Sequence, residues 1–167
     1  MKRLFKQLSE SAIRLGDIVY AQEQINKGWI GNKPASNKEI KKLEESLALE
    51  LPEDYKELIR LTNGFTAPNA IEPNFLSIEK VDYLRNIDQE LIKAYRIEGL
   101  EQVGKLLEES ILIGGLYEEQ HFLLIPPNKT IAKWRYWKFA NWIPGEEPYE
   151  NLRHYFKTII RFNQDES

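Results

Sequence analysis

The chain has 167 residues, with 23 Lys and Arg against 26 Asp and Glu, a net charge of −3, 42% hydrophobic residues, 29% charged residues and 0 cysteines. A chain of this length buries about 70% of its unfolded surface without crosslinks, and the lack of thiols excludes disulfides, thiolate nucleophiles and cysteine-ligated metals. The balance excludes disordered, collagenous and coiled-coil classes, and a slightly acidic chain argues against direct nucleic-acid binding. No apolar run approaches the ~20 residues needed to span a bilayer, and the first residues lack the apolar core of a secretory leader. A cytoplasmic protein with no membrane partner is expected.

Leu4, Phe5, Leu8, Ala12, Leu15, Ile18 and Val19 fall on one stripe at three-four spacing. They predict an amphipathic helix from Arg3 to Ile25, weakened in its middle by Gly16. The stretch 27–35 (KGWIGNKPA) is a turn-rich connector. Ser36-Asn37-Lys38-Glu39 then reads as a capping box, in which a hydroxyl accepts from the third amide while the carboxylate reaches back to the cap. Ile40, Leu43 and Leu47 continue it as a helix. Pro52 suits the first turn of a second helix, where its missing N–H costs nothing, and Glu53 and Asp54 favour the positive end of that helix's dipole. Tyr55, Leu58, Ile59 and Leu61 form its buried stripe, and Asn63-Gly64 is read as its left-handed end.

Residues 65–74 (FTAPNAIEPN) show no periodicity and form a loop. Phe75–Ile78 leads into a further helical stripe over Val81, Leu84, Ile87, Leu91, Ile92 and Tyr95, stopped by Gly99. The last third changes character. Ser110–Leu116, His121–Ile125 and Thr130–Phe139 are three strand-like runs; the third alternates Arg135, Trp137 and Phe139 against Trp134, Tyr136 and Lys138. Short turns make antiparallel neighbours. A closing helix carries Leu152, Tyr155, Phe156, Ile159, Ile160 and Phe162. The sum is an α+β fold: a single domain over 1–167, with helices packed on one mostly antiparallel sheet.

The chemistry for an enzyme is thin. His121 and His154 are the only histidines; beside Glu118 and Glu119, His121 makes at most half of a metal site. No nucleophile elbow, phosphate-binding loop or dinucleotide fingerprint occurs. Adjacent carboxylates recur at five places, as solvated faces do. No catalytic residue, cofactor or metal is therefore assigned. Trp134, Tyr136, Trp137, Phe139 and Trp142, interleaved with Lys133, Arg135 and Lys138, would suit a stacking platform for single-stranded nucleic acid. Without a basic field they read better as a strand packed on both faces.

Taken together, Pro34-Ala35-Ser36, Glu39-Ile40, Leu43-Glu44, Leu47, Leu51-Pro52-Glu53-Asp54-Tyr55-Lys56, Leu58 and Asn63-Gly64, with Trp29 upstream, resemble the signature of the SUKH superfamily (Smi/Knr-type domains). The resemblance runs over about residues 25–162, with its specific part at 29–64. It makes residues 27–162 the core and residues 1–26 an N-terminal helical extension. It implies a non-enzymatic binding role: an immunity protein that neutralises a cognate secreted or contact-delivered bacterial toxin, such as a nuclease or deaminase. A regulatory or scaffold protein of the same fold, binding a cellular protein, is the alternative. Such toxins must attract phosphate and so present basic faces, which an inhibitor meets best with negative potential. The acids expected at loops and strand ends are Glu72, Glu118, Glu119, Glu146 and Glu147. With Trp142 as an apolar anchor, they are the expected partner-binding residues.

Overall fold

The computed structural model describes residues 1–129, 131–140 and 147–166. Among these the helices are α1 (Lys2–Leu15), α2 (Gln22–Lys27), α3 (Asn37–Leu47), α4 (Glu53–Ile59), α5 (Leu84–Ile87), α6 (Gln89–Ala94), α7 (Glu101–Glu109) and α8 (Leu152–Asp165). The strands are β1 (Asp82–Tyr83), β2 (Ile111–Gly114), β3 (Gln120–Ile125), β4 (Arg135–Ala140) and β5 (Glu147–Tyr149). They form one antiparallel sheet in simple sequence order. The architecture is the expected α+β, with helices on both faces of the sheet.

Several boundaries differ from expectation, each for a local reason. The single long N-terminal helix is two. Gly16 takes φ 76, and its amide bonds back to Ala12, closing α1 in a left-handed cap. A side chain there would resist that conformation, so glycine terminates the helix rather than kinking it. The stripe over 81–99 is likewise divided, because Asp88 turns its carboxylate onto the Leu91 amide and starts α6 afresh. Helix α7 was not anticipated. The fourth strand begins at Arg135 rather than Thr130, and α4 ends at Ile59, before Asn63-Gly64.

The capping box forms as read: the Glu39 amide donates to Ser36 Oγ at 3.3 Å, and the Ser36 amide donates to Glu39 Oε2 at 2.7 Å. Hydrogen bonds from the Ser36 side chain and backbone hold the Glu39 carboxyl below the usual carboxylate range. Helix α3 ends at Ala48 in a left-handed conformation, and the Leu51 amide reaches back to Glu44 Oε1 at 2.9 Å. Between the two signature helices, Lys56 is drawn to Glu44, Glu50 and Glu53 at 3.5, 3.0 and 3.4 Å.

Asp54 does more than favour a helix dipole. Its Oδ1 accepts from the Tyr136 hydroxyl at 2.7 Å and from the Tyr55 amide at 2.9 Å, and its Oδ2 accepts from the Leu152 amide at 3.1 Å. One carboxylate thus ties α4, β4 and the first turn of α8 together. Burial, helped by the Asp54 charge, pushes the Tyr136 hydroxyl well above its ordinary pKa.

Strand pairing decides what each sheet face carries. Phe122 faces Lys138, and Leu124 faces Tyr136; on the reverse face His121 is opposite Phe139, and Leu123 is opposite Trp137. The first face meets α8, with Phe122 and Tyr155 ring centroids 4.3 Å apart. Behind them Phe5 of α1 packs edge-on to Phe65 and Phe156 at 5.1 and 6.0 Å. Phe5 is 0% exposed. The N-terminal helix, read as an extension, supplies a fully buried ring to this aromatic cluster. The reverse face lies under α5 and α6, with Tyr95 edge-on to Phe139 at 5.5 Å. An ion pair between Arg96 and Glu108 fastens α7 alongside.

Leu51 is 2% exposed, at the join of α3 and α4. Leu51→Ala should cost about 2–5 kcal/mol, as buried large-to-small changes do. Urea unfolding beside the exposed Lys38→Ala checks this. Equal midpoints for the two variants would remove the signature from the core.

Candidate partner-binding surface

The β2–β3 turn is built under tight constraint. The Glu118 amide closes it by donating to Gly115 O at 3.1 Å, and His121 Nδ1 lies 2.9 Å from the same carbonyl. Gly115 has φ 79, and a Cβ on it would sit 1.8 Å from Gln120 O, so only glycine fits. The third position of the turn is Tyr117, at φ 62. Turns of this kind place glycine or asparagine there. A bulky residue held left-handed costs on the order of 1–3 kcal/mol. The ring gains no packing in return, since Tyr117 is 93% exposed. The other left-handed non-glycine residue, Ala48, instead serves its helix, where the Ala48 and Leu49 amides satisfy the last carbonyls of α3.

Clefts open on both sides of this turn. One, of about 560 Å³, lies between the turn and α5–α6; Leu84, Ile87, Leu91, Leu112, Leu116 and Phe139 form its apolar lining, and Asp88, Glu118 and Glu119 are its acids. No lysine or arginine lines it among the described residues. The second, of about 330 Å³, lies toward Asn32, Asn74 and Lys80 and shares Leu116, Tyr117 and Glu118 with the first. Glu118 is fixed between them. It accepts from the Asn74 amide at 3.1 Å and from Asn74 Nδ2 at 2.8 Å. Glu119 is exposed.

The expected partner-binding residues separate here. Glu118 and Glu119 stand at the turn, on the surface. Glu72 does not. It is 6% exposed, its Oε1 is 2.9 Å from Lys138 Nζ, and its Oε2 accepts from the Tyr155 hydroxyl at 2.6 Å. Loop membership suggested a surface acid, but the 66-residue link to β4 draws it into the core. Trp142 and Glu146 lie outside the described residues. Glu147 is described by its backbone, paired with Lys138 at the start of β5. Sequence reasoning missed Tyr117 and Asp88. The Gly-Gly-Leu-Tyr-Glu-Glu run marked a turn but not which residue would stand left-handed, and Asp88 was hidden inside a supposed continuous helix.

The histidines do not converge on a site: His121 stacks toward Phe139 at 6.5 Å, and His154 meets Tyr149 at 5.6 Å. Among the described residues, no group of three or more His, Asp or Glu is placed to hold a metal ion, and no helix is long and apolar enough to cross a membrane. This surface combines an apolar floor with charged and aromatic margins.

The fold is that of a signature-bearing α+β domain whose motif residues serve the scaffold. The model of the SMI1 / KNR4 family (SUKH-1) matches residues 34–162, and the chain belongs to that family. Comparison with curated proteins gives no match.

Glu72→Ala should destabilise the fold by about 3–5 kcal/mol, because it removes a buried carboxylate that pairs with Lys138 and accepts from Tyr155. Thermal unfolding followed by circular dichroism reads this directly. An unchanged midpoint would return Glu72 to the surface set.

Proposed function

We propose that this chain is a non-enzymatic immunity protein that binds and neutralises a cognate secreted or contact-delivered bacterial toxin in the cytoplasm, with a nuclease or deaminase as the toxin class. Membership of the SMI1 / KNR4 family is compatible with that role. The observation that carries the reading is the β2–β3 turn: an acidic, aromatic projection beside an apolar cleft lined by no lysine or arginine among the described residues. Such a surface complements a face built to hold phosphate. Glu118 and Glu119 are the toxin-facing acids of this reading, with Trp142, Glu146 and Glu147 joining them from the segment before and at β5. Residues 1–167 act as one unit, supported by the place of Phe5 among the core aromatics.

The partner to test is any toxic domain encoded by a gene neighbouring that of this chain. Co-expression should restore growth to cells making that domain, and purified chain should bind it in surface plasmon resonance. A failure of both sinks the proposal. Charge reversal at the exposed Glu119 should slow association and flatten its dependence on salt, with little change in melting temperature. An unaltered on-rate at two ionic strengths places the interface elsewhere.

Because the role needs no proton transfer, His154→Ala should leave protection intact while the fold is kept. Lost protection with normal folding and normal toxin affinity would favour an enzyme instead.

A further inference from the structure

The apolar cleft beside the β2–β3 turn has two properties that together select an occupant. Its floor is aliphatic and aromatic, from Ile87, Leu91, Leu116 and Phe139, and its volume of about 560 Å³ is enough to admit a long side chain. Its charged lining is of one sign, from Asp88, Glu118 and Glu119. A purely apolar occupant would strip water from those carboxylates without replacing it, which is costly. An acidic occupant would be repelled. A side chain with an aliphatic stem and a cationic head satisfies both parts, the stem on the leucines and the head among the carboxylates.

Tyr117 completes the arrangement. It is among the residues lining the cleft, is 93% exposed and is carried at φ 62 by a turn position that favours glycine. Nothing in the fold gains from a tyrosine there. An aromatic face beside a cleft with negative charge attracts a guanidinium or ammonium through its ring quadrupole. Two of the three carboxylates are pre-positioned: Asp88 is committed through one oxygen to the Leu91 amide, and Glu118 is held by Asn74. Holding them in place before binding reduces the entropy lost when the head group docks.

From these observations we infer that the cleft is a receptor for one arginine or lysine side chain of a protein partner, with Tyr117 closing over the cation. This deepens the binding reading above and draws its biological sense from it, yet the receptor can be tested on the isolated protein. Arginine is the better fit, since its planar head can both stack on the tyrosine and hydrogen-bond to two carboxylates.

The test is a titration of the ¹⁵N-labelled chain with N-acetyl-arginine methylamide, with N-acetyl-norleucine methylamide as the uncharged counterpart. The expected result is saturable movement of the Asp88, Glu118, Glu119 and His121 amide resonances with the arginine probe. The norleucine probe should bind several-fold more weakly, and added salt should weaken the arginine response. Glu119→Gln should weaken it several-fold. Tyr117→Gly should abolish it and raise the melting temperature, because the strained turn position is relieved, whereas Tyr117→Phe should keep most of the binding and the original melting temperature. Unmoved resonances, or equal responses to the two probes, overturn the receptor; a Tyr117→Gly variant that melts no higher than the unsubstituted chain overturns the claim that tyrosine is held there against the preference of the turn. A chain that rescues cells from the toxin but fails this titration keeps the immunity reading and loses this one. A chain that passes the titration but fails to rescue does the reverse.

Discussion

Asp54 is the constraint on which the arrangement of layers depends. A carboxylate that accepts from a neighbouring amide, a tyrosine hydroxyl in β4 and the first amide of α8 fixes three elements far apart in sequence about one point. The bonds are charge-assisted and shielded, so they are stronger and more directional than exposed polar contacts. Once α8 is anchored at its first turn, its aromatic stripe must fall on the sheet face carrying Phe122 and Tyr149. The ring cluster of Phe5, Phe65, Phe75 and Phe156 then closes behind it. Glu72, reaching Lys138 and Tyr155, ties the loop before β1 into the same assembly.

That division of labour separates family from partner. The signature residues sit between α3 and α4 and on the first sheet face, where they cap helices, pair charges and fill the core. The β2–β3 turn and its cleft lie by the reverse face, on elements outside the signature's specific stretch. A scaffold specified by one set of residues leaves another free to carry recognition, which is why the motif names a fold without naming a partner.

The legible parts of the fold were those set by short-range chemistry. Ser36 and Glu39 are three residues apart, and the alternation from Arg135 to Phe139 follows from the pleat itself. What escaped depends on long-range partners or on a single backbone angle. Helix α7 has only Val103, Leu106 and Leu107 as its apolar positions, among charged residues and Gly104, too sparse a pattern to stand out before α6 is packed beside it. Asp54 was read as a dipole-favouring acid because its partners Tyr136 and Leu152 are 82 and 98 positions away. Glu72 was misplaced for the same reason. At the surface, the two turn acids could be read from position alone; the left-handed tyrosine beside them could not, since the turn type is decided by how β2 and β3 register, with a shift between Leu112 and Gly114.

The packing of α1 against α8 also sets the order in which the molecule can assemble. Asn163 Nδ2 donates to Ser11 Oγ across 152 positions, and Phe5 rests on Phe156. Closing so long a loop costs chain entropy before any contact repays it. The meander of β2, β3 and β4, joined by nearby turns, closes shorter loops and costs less chain entropy to form than the docking of α1. Until it docks, Phe65 and Phe156 lack the ring that covers them. The same helix carries the ring that packs on Phe65 and Phe156, so its release would open the aromatic core to solvent.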